Sequence, residues 1–353
     1  MEPKELPDDT KAKIKDNKFF YQRNKYVFDF ALETWYYDVI EAGVTPKTLF
    51  LPLSMEDITA LYNLCRDTQK NAAVGTTYSQ TGDKEKANEV ATRIDKAIKS
   101  FGGNAFVKLS TRSPKDSLHG KINNRMKDAL MEALKESDET PNGDTIAFVT
   151  ATRTAAKVSS GEEALNLLLL SQRIKSDLYM AIEFPDAFNL QVLVREWIPM
   201  RPDYEFRAFV FGNKLNAISQ YCYYQHFPHI VSNREKIRQK LITFWESVKD
   251  MIKQDNYIMD VVITDDDRAL IIELNPFFND TSACLFNWRE PVDRKILKEG
   301  TTDIPLRLLE KPVEDPMGCL GSDWRSMIED IRGINKPKSA MKESEEEKTC
   351  NIM

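Results

Sequence analysis

The sequence predicts an α+β protein of two lobes, with antiparallel strands in the second. Three observations carry this. Two hairpin-like stretches, 206–219 and 260–276, flank one long amphipathic helix at 233–253. A separate strand-and-helix pattern fills the first half, and 353 residues can bury two cores.

Taken in order, residues 17–42 are dense in aromatics such as Phe28, Phe30, Trp35, Tyr36 and Tyr37, which reads as a packed helix rather than a base-stacking platform. Thr48 to Pro52 is strand-like, and Ser54 with Glu56 and Asp57 marks a helix start. The stretch 75–83 is a loop by composition. Val90, Ile94, Ala97, Ile98 and Phe101 then recur at helical spacing, and Gly102-Gly103 ends that helix.

Ala105 to Leu109 reads as a strand entering the loop 110–116. Lys108 at its end, followed by hydroxyls and further cations, can meet phosphate oxygens. A strand-end lysine is usually only solvated, and the loop lacks the glycines of a P-loop. Residues 124–145 are charged and read as a surface excursion, while 161–176 reads as one buried helix around Leu165 to Leu170. Residues 190–199 form a strand that Pro199 terminates.

In the 206–219 hairpin, alternation places Arg207 on one face with Phe209 and Phe211, where a guanidinium needs an anion. Glu205, Glu196 and a bound phosphate are the candidates, an internal carboxylate first among them. The helix 233–253 carries the stripe Ile237, Leu241, Phe244, Trp245 and Val248, and 305–309 offers a last strand. From Asn335 the chain has almost nothing to bury.

The 260–276 hairpin concentrates the most chemistry. A four-residue loop at 265–268 sets Thr264 opposite Ala269 and Asp260 opposite Glu273, with Asn275 on the same side as Glu273. Directly opposite Cβ atoms lie about 4.5–5.5 Å apart, where two like charges repel, so a positive group is expected between them. Asp260, Glu273 and Asn275 are hard oxygen donors suited to Mg²⁺ with a phosphate substrate. The simpler alternative is a Lys or Arg paired with Glu273.

Composition narrows the function classes. A net charge of −6 lacks the basic field of a nucleic-acid surface, so no nucleic-acid partner is expected. No apolar run reaches the roughly 20 residues needed to span a bilayer, and the charged N-terminus is unlike a secretory signal, which implies a cytoplasmic protein. Five cysteines without CxxC spacing indicate neither a disulfide framework nor a zinc knuckle. Pro228 between His226 and His229 argues against a helical His pair.

The ordered segments FVKLSTRSPKDS, LLLLSQRIKSDL, VREW, EFRAFVFGNKLNAISQY, DVVI and LIIELNPFFNDTSACLFNW resemble the cell division cycle protein 123 family over roughly residues 30–290. The resemblance implies an ATP-grasp-like fold with nucleotide held between the antiparallel sheets of two lobes. It also implies an assembly chaperone acting on translation initiation factor two through the gamma subunit. Residue by residue, Lys108 would contact phosphates, with Ser110, Arg112 and Ser113 near them. Glu196, Trp197 and Ile198 would form the hinge against adenine. Arg207 would reach the phosphates, and Asp260, Glu273 and Asn275 would hold Mg²⁺.

Departures from the family accompany the resemblance. Glu273 stands where the family usually has Asp, and 124–156 has the look of an insertion. The expected organisation is an N-terminal lobe at 1–193, a C-terminal lobe at 194–334 and a tail at 335–353.

Cys350-Asn351-Ile352-Met353 fits a prenylation box, with Met favouring farnesyl, so a prenyltransferase is an expected partner. One lipid chain gives reversible membrane association. Three functional readings follow: an ATP- and Mg²⁺-binding chaperone, an ATP-grasp ligase or kinase acting on a protein or small molecule, and a silent membrane-tethered scaffold. The enzyme reading needs cations around the γ-phosphate, for which Arg112, Arg153, Lys157 and Arg207 are available.

Overall fold

Strands from the two halves of the chain form separate sheets. The computed structural model describes Lys15 and residues 18–69, 78–119 and 124–334. Cys350 and the tail from residue 335 lie outside the described residues, as do residues 75–77 of the 75–83 loop. The first sheet, in the order β1-β4-β2-β3, comprises β1 (Thr48–Pro52), β2 (Ala105–Leu109), β3 (Lys157–Val158) and β4 (Gln191–Glu196), all antiparallel. The second, in the order β8-β7-β5-β6-β9, comprises β5 (Glu205–Phe211), β6 (Lys214–Gln220), β7 (Tyr257–Ile263), β8 (Ala269–Pro276) and β9 (Leu306–Arg307). Only its β6–β9 pairing is parallel.

Local chemistry explains most element ends. Ser54 caps the helix Met55–Thr68 by a reciprocal box, accepting from the Asp57 amide at 3.1 Å while its own amide donates to Asp57 Oδ2 at 3.0 Å. The run expected as one helix at 161–176 is two, Gly161–Leu170 and Gln172–Glu183. Ser171 leaves the helical region between them, and its hydroxyl accepts from the Ile174 amide at 3.2 Å.

The 124–145 stretch, read as a surface excursion with a helical portion, belongs to a pair of helices, Asn124–Lys135 and Pro141–Ala155, packed into the protein rather than lying on its surface. Met126, Leu130, Leu134, Phe148 and Ala151 are buried in the first core. Their spacing of three and four hides an apolar stripe inside a charged composition.

Each sheet packs on its own core cluster, and two segments of the described chain cross between them. Ile237, Leu241, Trp245 and Val248 of helix Arg234–Val248 pack on the apolar face of the second sheet, together with Leu32, Trp35 and Val39 from near the N-terminus. Trp324 and Ile328 of helix Ser322–Ile331 enter the first core. Each such fully buried large side chain contributes about 1.5–3 kcal/mol.

The 260–276 hairpin turns more tightly than expected. Its loop is three residues, Asp265 to Asp267, because the Thr264 amide donates to Arg268 O at 2.8 Å and Asp267 adopts φ 62°. Ile263 therefore faces Ala269, one step from the expected register, until a bulge at Ile272 restores Asp260 opposite Glu273. The bulge is clamped from the first sheet, where Arg195 Nη1 donates to Ile272 O at 2.7 Å. Among the described residues, no helix is long and apolar enough to cross a membrane.

One close approach gives a stability prediction. A Cβ on Gly161 would lie 1.8 Å from the Ala91 carbonyl oxygen of the adjoining helix, so backbone must move to admit it. Gly161→Ala should lower unfolding stability by about 1–3 kcal/mol. Urea unfolding of the two proteins checks this, and an unchanged midpoint contradicts the packing.

Candidate functional site

Strand alternation puts Arg207, Asp260 and Glu273 on the face of the second sheet opposite Phe206, Ala208 and Met259, beside the smaller apolar cluster of Phe209 and Ile258. Arg207, Asp260 and Glu273 stand directly opposite one another across β5, β7 and β8. Arg207 grips Asp260 with two parallel bonds, Nε to Oδ1 at 2.7 Å and Nη2 to Oδ2 at 2.8 Å. Its third nitrogen donates to Ser282 O at 2.8 Å. The counter-ion of Arg207 is thus Asp260, and neither Glu205 nor Glu196. Glu205 pairs with Arg153, while Glu196 accepts from the Lys47 amide at 2.8 Å.

The repulsion expected between Asp260 and Glu273 is relieved by two cations rather than one. Lys108, reaching across from β2, donates to Glu273 Oε1 at 2.5 Å. Burial pushes the Glu273 carboxyl up, but Lys108 and Lys115 outweigh it and hold its pKa down at about 2. Glu273 is therefore charged at neutral pH, whereas burial raises the Asp260 pKa against the opposing pull of Arg207.

Two cavities meet here. The smaller, about 270 Å³, is walled by Phe106, Leu118, Val149, Ile198 and Ile272 and edged by Lys108, Glu196 and Trp197. The larger, about 730 Å³, is polar and lined by Arg112, Arg173, Lys175, Arg207 and Asn275 among others. Ser113, Lys115, Tyr221 and Glu273 line both and form the neck between them. Lys115 Nζ donates to Tyr221 Oη at 3.0 Å, and the Tyr221 oxygen, with Glu205 and Glu273 behind it, raises the Lys115 pKa.

Not every expected residue reaches these spaces. Ser110 is buried, accepts from the Gln191 amide at 3.0 Å and lines neither cavity. Asp260 also lines neither. Lys157, offered as a phosphate cation, sits on β3 outside both, whereas Arg153 lines the smaller cavity beside Glu205.

Sequence reasoning missed Arg173, Lys175 and Tyr221. A signal existed for the first two, since cations in the first turn of a helix oppose its dipole and call for a reason. The loop 110–116 is fastened to this same helix Gln172–Glu183. Thr111 donates to Asp177, Arg112 Nε lies 3.3 Å from Asp177 Oδ1, and Asp116 accepts from Ser171 Oγ at 2.5 Å and the Gln172 amide at 2.8 Å.

The donors fit a hard cation in part. Asp260 has both oxygens engaged by Arg207, and Oδ2 takes Asn275 Nδ2 as well, at 3.1 Å. At Glu273 the protein bond falls on Oε1, and Asn275 turns its nitrogen to Asp260, so Glu273 Oε2 and Asn275 Oδ1 are the oxygens left for a metal. Among the described residues, no cluster of three or more His, Cys, Asp or Glu side chains could hold one. His229 Nε2 instead lies 2.6 Å from Asp203 Oδ2.

Comparison with known proteins agrees with this architecture. The chain is 26% identical over 223 residues to the translation initiation factor eIF2 assembly protein of Xenopus laevis, covering 62% of this chain and 56% of that protein. It is 27% identical over 255 residues to the protein of the same description from Dictyostelium discoideum, covering 72% and 59%. The chain thus spans little more than half the length of these curated relatives. Its fold is that of Cdc123 from Schizosaccharomyces pombe, with a TM-score of 0.56 at 23% identity over 82% of this chain and 98% of that one. Residues 141–319 match D123, and the chain belongs to that family.

Proposed function

We propose that the chain binds ATP with Mg²⁺ between its two sheets and serves as a chaperone in the assembly of translation initiation factor two. The joined cavities carry the ATP reading. An apolar space opening through a cationic neck into a larger basic one suits a flat base at one end and a phosphate chain at the other.

In this reading Phe106, Val149 and Ile198 enclose the base, with the strand end from Glu196 to Ile198 offering backbone groups to its edge. Lys115 at the neck meets the first phosphates, while Arg112, Ser113 and Arg207 line the space beyond. Lys108 acts on the phosphates through Glu273, whose position it fixes. Glu273 and Asn275 would ligate Mg²⁺, and Asp260, locked by Arg207, would hold the Asn275 amide in place. Bound Mg²⁺ would neutralise phosphate charge there.

The chaperone role rests on the family and on the eIF2 assembly description of the relatives, and the gamma subunit as partner rests on the resemblance. A farnesyl group on Cys350 would add reversible membrane contact.

Calorimetry tests the site. Wild type should bind ATP in Mg²⁺ and lose about tenfold or more in affinity in excess chelator, and Glu273→Gln/Asn275→Ala should show the same loss with the metal present. Equal affinities throughout reject the site. Acid stability probes the ion pair. The Glu273 pKa is about 2 when folded and about 4.3 when unfolded, so the unfolded chain binds more protons and stability falls as pH drops from about 4.5 to 2. Glu273→Gln should flatten that interval of the stability curve, measured by denaturant titration, and an unchanged slope contradicts the assignment. Purified from eukaryotic cells, the chain should carry a farnesyl mass shift at Cys350 and bring the gamma subunit with it. An unmodified C-terminus refutes the lipid, and absence of the subunit refutes the partner.

A further inference from the structure

The large cavity is lined by five cations, Arg112, Lys115, Arg173, Lys175 and Arg207, against two carboxylates, Glu273 and Asp280. Arg207 is matched by Asp260 and Arg112 faces Asp177. Among the described residues, no carboxylate oxygen lies within 4.0 Å of Lys115, Arg173 or Lys175. Lys115 stands at the neck, but Arg173 and Lys175 line the larger cavity alone, on the far side of that neck from the apolar space.

Both come from the first turn of helix Gln172–Glu183. The backbone amides of that turn are already taken, since Asp116 Oδ2 accepts from Gln172 N at 2.8 Å and Arg173 N at 3.2 Å. What the turn presents to the cavity is therefore side-chain charge. Cations here are disfavoured by the helix dipole, so they add stability only when an anion lies against them.

We propose that Arg173 and Lys175 read the terminal phosphate and make the site selective for nucleoside triphosphates over diphosphates. This rests on the nucleotide reading above and adds its specificity. A phosphate chain entering from the apolar space passes Lys115 first and reaches Arg173 and Lys175 last. A diphosphate occupies the neck without them.

The loop 110–116 shares the task through Asp116 and Asp177, which tie it to the same helix. Contact at the terminal phosphate is thereby transmitted to the segment carrying Arg112, Ser113 and Lys115. Asp116 is a positioning residue, since it lines neither cavity.

The test is calorimetric binding of ATP and ADP, each with Mg²⁺, to the full chain and to Arg173→Ala/Lys175→Ala. Circular dichroism melting checks that the variant, altered at side chains that face the cavity, remains folded. Wild type should prefer ATP by about tenfold or more. The variant should lose about 10- to 100-fold in ATP affinity and under about threefold for ADP, so the preference collapses. Retention of the wild-type ATP/ADP ratio overturns the proposal, as does an equal loss for both nucleotides, which would mark a general field effect. A wild type that binds neither nucleotide overturns the ATP reading itself, a result separable from the other two.

Discussion

Lys108 and Glu273 belong to different sheets, and their ion pair joins the two across the cleft, beside the bond from Arg195 to Ile272 O. Little else about the site is free once that contact exists. Glu273 is held at one end of β8, so Asp260, directly opposite on β7, needs a cation of its own, and β5 supplies Arg207 at the paired position. A buried ion pair adds little net stability over apolar packing, but breaking one side of it is costly. Its value here is in fixing registration between lobes.

The backbone is adjusted to serve that contact. Without the bulge at Ile272, the tight loop at 265–267 would put Glu273 out of step with Asp260 by one residue and turn its side chain to the apolar face. The bulge costs a ladder bond, which Arg195 replaces from the first sheet. Burial lowers the Arg195 pKa to about 10 against the opposing charges of Glu273 and Glu196, its nitrogens donate to the Ile272 carbonyl and the Thr45 and Thr48 hydroxyls, and it remains a cation at neutral pH. Its donors are spent on holding the loop side of the site.

How much of this could be read from residues depended on the range of the interaction. Capping at Ser54, the stripe of helix Arg234–Val248 and the strands 48–52 and 105–109 are local patterns and were legible. The pairing of Asp260 with Glu273 was legible too, although the assumed four-residue loop reached it by a different path. The partner of Arg207 was not, because strand order in the second sheet places β5 beside β7 and no local pattern reveals that neighbour. The burial of 124–155 was hidden by surface charge on the opposite helix faces, and β3 is only two residues long.

The crossing of residues 30–39 and of the helix Ser322–Ile331 has a mechanical consequence. Residues 30–39 lean on the second lobe and the helix Ser322–Ile331 on the first, so the polypeptide wraps its own cleft like a belt fastened on both sides. Cutting between the sheets would leave each half with an apolar wall missing, and neither half would be a self-sufficient folding unit. Any opening of the cleft must therefore carry residues 30–39 along with the second sheet and the helix Ser322–Ile331 along with the first.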